Sequence, residues 1–258
     1  TQNAALAFGG YILTGTATTG SVEEYNGSAW AVGGALPEPQ KQGVGTGTQN
    51  AALSIGGADS PTNRTAAYNG TTWTAVANLI GGRYGLGGAG SQNAALVFGS
   101  YSPSRDRTEA YNGMTWVAGG TLITGRGYAA SSGTVNAALF AGGLPGTQNL
   151  TEEYNGTTWA AGSVINTARW WLGGAGSQTA TIIYGSNGYA TCTEEYNGTT
   201  WSNSTALIKG RGSGGSHGAG SQDSALFAGG YSTSPANATL ACTEEYSATY
   251  VKTVSLSS

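Results

Sequence analysis

Short apolar runs bounded by glycine and polar residues recur along the whole chain. The run Ala94-Ala-Leu-Val-Phe-Gly has the length of a β-strand and ends at a glycine. The segment Thr151-Glu-Glu-Tyr-Asn-Gly-Thr-Thr-Trp reads as a hairpin, because Asn-Gly favours the positive φ angles of a type I′ turn. Helical periodicity of useful length is missing from the sequence. The pattern therefore predicts an all-β protein of short antiparallel strands.

Two sequence markers alternate along the chain and divide it into six repeats of about forty-three residues. The first marker is Gln-Asn-Ala-Ala-Leu or a variant of it, beginning at positions 2, 49, 92, 135, 178 and 222. The second is Tyr-Asn-Gly-x-x-Trp, beginning at positions 25, 68, 111, 154 and 196, with a degenerate copy at 246. An arginine and a glycine-alanine run precede most copies of the first marker, at Arg83, Arg126, Arg169 and Arg211, with Gln40-Lys41 in the first instance.

Each repeat predicts four strands, which we name A (the glycine-alanine run), B (Ala-Ala-Leu-x-Phe), C (Thr-Glu-Glu-Tyr) and D (the segment from the tryptophan). Four strands per repeat without helices are typical of a propeller blade, so we expect one six-bladed β-propeller spanning residues 1–258. Strand A occurs only five times, and the first blade is predicted to be incomplete. Either that blade lacks its inner strand, or Thr253 to Ser258 supplies it, or residues outside this sequence complete the ring. We expect the ring to close near the two termini.

The residue types suit this architecture. Inner strands crowd around the propeller axis, where runs such as Gly87–Gly90 and Gly173–Gly176 permit close approach. Large side chains of strands B and D, for example Leu96, Phe98 and Trp116, should fill the space between neighbouring blades.

The repeat resembles the kelch repeat, in which an apolar strand ends in Gly-Gly and is followed by spaced tyrosine and tryptophan. The Gly-Gly pairs stand at 9–10, 56–57, 142–143 and 229–230, while the third and fifth copies have Gly-Ser. The resemblance covers nearly the whole chain and implies a kelch-like propeller with strand A innermost. The amino-acid sequence of the repeat also resembles the repeats of a class of phage-encoded proteins found among virion and tail components. That second resemblance implies a virion or extracellular protein with a structural or host-recognition role.

Enzymatic chemistry is not expected. Kelch-type propellers include the copper enzyme galactose oxidase, but such a copper site needs two histidines, and His217 is the single histidine of this sequence. With Cys192 and Cys242 it cannot complete a usual zinc site or a histidine-based nucleophile arrangement. We therefore predict no metal and no cofactor. The two cysteines occupy equivalent positions of successive repeats, too far apart for a disulfide, so two free thiols are expected.

Adjacent glutamates recur in the predicted C strands, at 23–24, 152–153, 194–195 and 244–245. Neighbouring strand residues point to opposite faces, so a pair cannot serve as a two-carboxylate glycosidase site. We expect one glutamate of each pair to bind a repeat arginine or backbone amides and the other to face solvent.

The composition of the chain limits the classes of binding partner that are expected. The formal charge is −3, and neither acidic nor basic residues are grouped in runs, so the sequence predicts no basic surface for binding nucleic acid. The sequence also has no apolar stretch long enough for membrane insertion, and a soluble chain is predicted. A homo-oligomer is left open.

Recognition is expected on the face that carries the B–C loops and D–A connections, because these vary between repeats while the other turns are short and similar. Candidate ligand-binding residues on this face are Tyr11, Arg64, Tyr101, Arg105, Arg107, Trp170, Trp171, Tyr189 and Tyr231. Exposed aromatic rings can stack on sugars or anchor a protein. Two hypotheses follow: a virion-associated tail, fibre or surface module that binds a host-surface glycan or another virion protein, and a free carbohydrate-binding lectin. The alternative that these loops vary without binding anything stays open.

Overall fold

A computed structural model describes residues 1–10, 18–58, 62–188, 190–212, 218–232, 238–239 and 243–254. The described residues form 25 β-strands and no helix. Six antiparallel sheets follow one another along the chain, five with four strands and the first with three. A separate two-stranded hairpin accompanies the sixth sheet.

Within each sheet the strands follow chain order. Blade 1 contains β1 (Ala5–Phe8), β2 (Val22–Tyr25) and β3 (Trp30–Val32). Blade 2 contains β4 (Val44–Thr48), β5 (Ala51–Ile55), β6 (Thr65–Tyr68) and β7 (Trp73–Ala75). Blade 3 contains β8 (Gly87–Ser91), β9 (Ala94–Phe98), β10 (Thr108–Tyr111) and β11 (Trp116–Ala118). Blade 4 contains β12 (Ala130–Thr134), β13 (Ala137–Ala141), β14 (Thr151–Tyr154) and β15 (Trp159–Ala161).

The last two blades complete the ring. Blade 5 contains β16 (Gly173–Ser177), β17 (Ala180–Tyr184), β18 (Thr193–Tyr196) and β19 (Trp201–Asn203). Blade 6 contains β20 (Ala219–Ser221), β21 (Ser224–Ala228), β24 (Thr243–Ser247) and β25 (Tyr250–Val254), with β22 (Tyr231–Ser232) and β23 (Ala238–Thr239) as the hairpin. The arrangement is a six-bladed β-propeller, as predicted. Strand A is present in blades 2 to 6 and missing from the described part of blade 1.

Glycine allows the inner strands to pack closely. A Cβ atom on Gly88 of β8 would lie 2.6 Å from Cγ2 of Val44, which belongs to the inner strand of the preceding blade. The prediction that the glycine runs serve close approach near the axis is confirmed at this position.

Large side chains fill the space between blades. Leu96 and Phe98 of blade 3 share one buried cluster with Phe140, Tyr154 and Trp159 of blade 4. Trp116 packs in another cluster, which extends into blade 2. The predicted interblade packing is therefore confirmed, and it explains why a single blade could not bury these residues by itself.

The turn between strands C and D differs from the prediction. In blades 1 to 5 four residues connect the strands, and only the glycine among them has a positive φ, for example +90° at Gly70. The Asn69 side chain accepts hydrogen bonds from the N–H groups of Thr71 (3.0 Å) and Thr72 (2.9 Å). A type I′ turn needs positive φ at two central residues, so the prediction of that turn type was wrong. The asparagine is instead used for its side-chain acceptor.

The first glutamate of the C strand forms a buried ion pair in four blades. The pairs are Arg83–Glu109, Arg126–Glu152, Arg169–Glu194 and Arg211–Glu244. Backbone amides complete the site, as the Ile80 N–H does for Glu109 at 2.7 Å. The expected arginine and amide partners are thus confirmed.

The second glutamate does not simply face solvent, and that part of the prediction was wrong. It accepts a hydrogen bond from a tyrosine hydroxyl of the next blade around the ring. The donor–acceptor pairs are Tyr68–Glu24, Tyr196–Glu153, Tyr246–Glu195 and, at 2.9 Å, Tyr25–Glu245. In most of the adjacent glutamate pairs, the first carboxylate therefore binds an arginine and the second binds a tyrosine of the next blade.

Glutamine side chains of the A–B turns also link adjacent blades. Nε2 of Gln178 donates to the carbonyl oxygens of Ala138 (3.0 Å) and Tyr154 (2.7 Å) in the preceding blade. Gln2 repeats this contact with Ala225 (3.3 Å) and Tyr246 (3.0 Å) of blade 6. The ring thus closes between blades 1 and 6, as expected.

Cys192 has a free thiol, as predicted, and its Sγ lies 2.9 Å from Nη1 of Arg169. Cys242 and His217 lie outside the described residues. The portion of the chain that the structure describes contains no helix able to span a membrane.

Candidate ligand-binding site

Five aromatic rings form a continuous cluster on the face that carries the B–C loops and D–A connections. Tyr101 lies in the B–C loop of blade 3, and Tyr84, Tyr128, Trp170 and Trp171 lie in the connections that enter blades 3, 4 and 5. We call these five residues the aromatic cluster. Its members come from three consecutive blades, so the propeller ring brings them together.

The ring geometry is that of direct aromatic contact. Ring centroids are 5.0 Å apart for Tyr101 and Tyr128, and 5.8 Å for Tyr84 and Tyr101. Tyr128 also lies 6.0 Å from Trp171 and 6.3 Å from Trp170, and the two indoles are 4.7 Å apart. Tyr101 is exposed and the other four are half-buried, so part of the cluster is open to a ligand.

Backbone hydrogen bonds between loops hold the rings in position. The N–H of Tyr101 donates to the carbonyl of Tyr84 at 2.9 Å, and the N–H of Trp171 donates to that of Tyr128 at 2.8 Å. Tyr128 and Trp171 have positive φ angles of 54° and 61°, which are uncommon for aromatic residues. Such a conformation persists only where its surroundings enforce it, and here the loop hydrogen bonds do so.

One cation adjoins the aromatic cluster. The guanidinium of Arg105 lies 5.8 Å from the Tyr101 ring centroid, and its Nε donates to the Tyr101 carbonyl at 2.8 Å. Arg105 is otherwise exposed and can offer its remaining N–H groups to an oxygen-rich ligand. Burial raises the pKa of Tyr128 far above its usual range, and the neighbouring Tyr84 and Tyr101 add to the shift. The Tyr128 hydroxyl therefore remains neutral and can act as a hydrogen-bond donor.

The cluster adjoins a large cavity. The cavity has a volume of about 1320 Å³ and includes the propeller axis, where Gly88–Gly90, Ser131–Gly133 and Gly174–Gly176 of the inner strands line it. Trp171 also lines this cavity, and its indole N–H is buried without a hydrogen-bond acceptor among the described residues. Within those residues no group of three histidine, cysteine, aspartate or glutamate side chains is arranged to hold a metal ion.

The predicted site residues divide into three groups. Tyr101, Arg105, Trp170 and Trp171 meet at the aromatic cluster. The others lie apart from it: Arg64 is exposed and pairs with Glu38 at 3.5 Å, Arg107 carries a carbonyl that accepts from Arg83, and Tyr231 lines the cavity in blade 6. Tyr11 and Tyr189 lie outside the described residues.

Two members of the cluster were not predicted. Tyr84 and Tyr128 stand one and two positions after a repeat arginine, where Trp170 and Trp171 also stand in the next repeat. Aromatic residues after the arginine in three successive repeats were therefore a usable signal. It was missed because the glycines of these connections were interpreted only as structural.

Comparison with known proteins supports the fold. No protein-family model and no curated protein sequence matches this chain. Among solved structures, one titled "Structure of YjhT" superimposes with a TM-score of 0.72 at 14% sequence identity, covering 91% of each chain. At that identity the similarity shows a shared six-bladed propeller architecture and carries no functional assignment.

Proposed function

We propose that this chain is a non-enzymatic recognition module that binds a glycan at the aromatic cluster. The observation that supports this function is the convergence of five rings and Arg105 on one loop face. Core aromatic residues of the propeller pack between blades, as Phe98 does against Phe140 at 5.1 Å. The aromatic cluster instead joins surface loops, which is where a rigid scaffold usually carries binding residues.

The chemistry of the cluster suits a sugar. The apolar faces of a pyranose ring stack on tyrosine and tryptophan, while its hydroxyl groups accept hydrogen bonds from Arg105 and the Tyr128 hydroxyl. Partly exposed tryptophan and tyrosine are also the residues that dominate protein interfaces, so another virion protein is the competing partner.

We further propose that the binding module belongs to a phage virion, as a tail, fibre or surface protein, and that the glycan is on the host surface. The resemblance of the repeat sequence to those of phage structural proteins supports the assignment to a virion. The described residues form one such aromatic cluster on the loop face, which supports this setting over a free lectin, because a lectin with one site per blade would repeat its binding residues six times. Mass spectrometry of purified particles would test the assignment, and a protein recovered only as a free secreted chain would favour the lectin.

The glycan hypothesis is tested with the purified chain on a glycan array, followed by calorimetry on the best ligand. Trp170→Ala and Tyr101→Ala should each weaken binding by at least about tenfold, which corresponds to roughly 1.4 kcal/mol. Arg64→Ala and Tyr250→Ala, at an exposed tyrosine of blade 6, serve as controls outside the cluster and should leave affinity unchanged. Circular dichroism verifies that every variant is folded.

Three results would overturn the proposal. Binding that persists in both cluster variants would place the ligand elsewhere, and the absence of any bound glycan would favour a protein partner. Turnover of a bound glycan would show that the chain is an enzyme.

A further inference from the structure

Among the residues that the structure describes, no strand occupies the inner-strand position of blade 1, next to β1. In the other five blades strand B pairs with strand A on one side and strand C on the other. β1 pairs with β2 alone among the described strands, so its second edge presents unpaired backbone groups. The cavity described above includes this edge, since Ala5–Phe8 line it. We call this region the blade 1 slot.

Glu23 lies at the slot and has no partner side chain in the part of the chain that the structure describes. It lies opposite Ala7 in the β1–β2 register, as Glu109 lies opposite Val97 in blade 3. Glu109 pairs with the arginine that precedes strand A of its own blade, whereas Glu23 is exposed, lines the cavity and has no ion pair or hydrogen bond with any described side chain.

Blade 2 provides an internal control for this pairing. Gln40 stands at the arginine position of blade 2, and Ala66 stands at the corresponding glutamate position. Arginine and glutamate are therefore both present in blades 3 to 6 and both replaced in blade 2. Blade 1 alone has the acid without an arginine in the described residues, so Glu23 indicates an arginine as the missing partner.

A backbone N–H group at the blade 1 slot, that of Gly230, also indicates that the missing partner is a segment with an arginine. In five blades the second residue after strand B donates its N–H to the carbonyl at the arginine position of the next blade. The pairs are Gly10 to Gln40 at 2.8 Å, Gly57 to Arg83, Ser100 to Arg126 and Gly143 to Arg169 at 2.9 Å, and Ser186 to Arg211 at 3.0 Å. The equivalent residue of blade 6 is Gly230, which lines the cavity and whose N–H has no acceptor among the described residues.

We propose that the blade 1 slot binds an extended peptide segment of the form Arg-x-Gly-x-Gly-Gly-Ala-Gly, running antiparallel to β1. Its arginine carbonyl accepts from Gly230, its guanidinium pairs with Glu23, and its glycine-alanine residues pair with β1. Small residues are required because the inner strands of neighbouring blades approach closely, as Gly88 of β8 approaches Val44 of β4. Thr1 already occupies the last position of strand A, since its amino group donates to Ala4 at 3.1 Å where Ser91 pairs with Ala94 in blade 3. The segment therefore ends beside Thr1.

The test joins the chain's own Arg83–Gly90 sequence, Arg-Tyr-Gly-Leu-Gly-Gly-Ala-Gly, directly to the amino end of Thr1 in the full chain. We expect the thermal unfolding midpoint to rise by at least about 5 °C. Hydrogen exchange of the β1 amides should slow at least about tenfold. The same extension with glutamine in place of its arginine, and the arginine extension on Glu23→Gln, should each lose most of the gain. As a second measurement, the free acetylated and amidated peptide should slow the same amides in the unextended chain.

Three outcomes would overturn the proposal. An extension that changes neither the midpoint nor the exchange would show that the slot does not take this segment. Equal gains from the arginine and glutamine extensions would remove the role of Glu23. Protection of the β1 amides in the unextended chain would show that another part of the chain already occupies the slot.

Discussion

Nη2 of Arg83 donates a 2.7 Å hydrogen bond to Oε1 of Glu109, and both side chains are almost fully buried. Arg83 reaches this carboxylate from the connection that enters blade 3, and Nη1 also donates to the carbonyl of Arg107 at 2.8 Å. Burial lowers the pKa of Arg83 to about 10, while the charge of Glu109 acts in the opposite direction. Each such pair ties the start of a blade to its C strand.

Removal of one member of this pair should be strongly destabilising. Arg83→Leu leaves the Glu109 carboxylate buried without its cation, and we expect the free energy of unfolding to fall by about 3–5 kcal/mol. Arg64→Leu is the matched control, since its pair with Glu38 is exposed, and it should cost less than about 1 kcal/mol. Urea unfolding measures both, and equal losses would contradict the structural role assigned to the buried pair.

The hydrogen bonds that a glutamine side chain donates to the preceding blade can be removed by one substitution and introduced by another. Gln178→Val should lower the free energy of unfolding by about 1–3 kcal/mol, because the carbonyls of Ala138 and Tyr154 lose their donor. Blade 4 has Val135 at the corresponding position. Val135→Gln can supply the same two hydrogen bonds to blade 3, so it should raise the free energy of unfolding by about 0.5–1.5 kcal/mol. A loss in the second variant would show that packing of Val135 outweighs the new contact.

Alkaline pH should weaken the tyrosine contacts between blades. The pKa of Tyr25, Tyr196 and Tyr246 is raised to about 12, first by burial and then by the acceptor glutamate of the neighbouring blade. The folded pKa lies above the unfolded value of 10.0, so this stability is fully present below pH 10 and is lost as pH rises towards 12. Each of these tyrosines contributes to the loss of stability in that range, and the lowered pKa of Arg83 partly opposes it.

A substitution at Tyr25 separates the contribution of one tyrosine to this pH dependence from the contributions of the other groups. Tyr25→Phe should reduce the steepness of the stability loss between pH 10 and 12, because one titrating phenol is removed. Tyr250→Phe, at an exposed tyrosine, is the control and should leave the steepness unchanged. Unfolding curves at several pH values, with phenolate absorbance recorded in parallel, measure the effect. Identical slopes for the wild type and Tyr25→Phe would refute it.

Close approach between blades should make Gly120 intolerant of substitution. A Cβ atom there would lie 2.1 Å from the carbonyl oxygen of Thr157, in the C–D turn of the next blade. Gly120→Ala should lower the free energy of unfolding by about 1–3 kcal/mol, since backbone must move. At Gly188 the nearest atom would be Oγ of Ser186 at 3.7 Å, so Gly188→Ala should be close to neutral. Denaturant unfolding compares the two variants.

The repeat, the six blades and the four strand types of a blade could all be predicted from the sequence, while the β22–β23 hairpin could not. These features depend on local patterns: an apolar run such as Ala94–Phe98 forms a strand wherever one face can be buried, and glycine ends it. A repeat arginine or backbone amides could also be expected as partners of one glutamate of each pair, because arginine and glutamate both recur in most repeats. The absence of strand A from the described part of blade 1 matches a glycine-alanine run that is missing from the sequence of the first repeat.

Which distant residues contact each other could not be predicted from the sequence. Tyr84 and Trp171 both contact Tyr128 because the closed ring places the entry loops of successive blades side by side, and no local pattern encodes that placement. The same applies to the tyrosine that reaches Glu245 from blade 1, which lies 220 positions away in sequence. Contacts of this kind depend on the angle between rigid sheets, which is set by all the interblade packing together, so they follow from the closed ring and not from any one repeat.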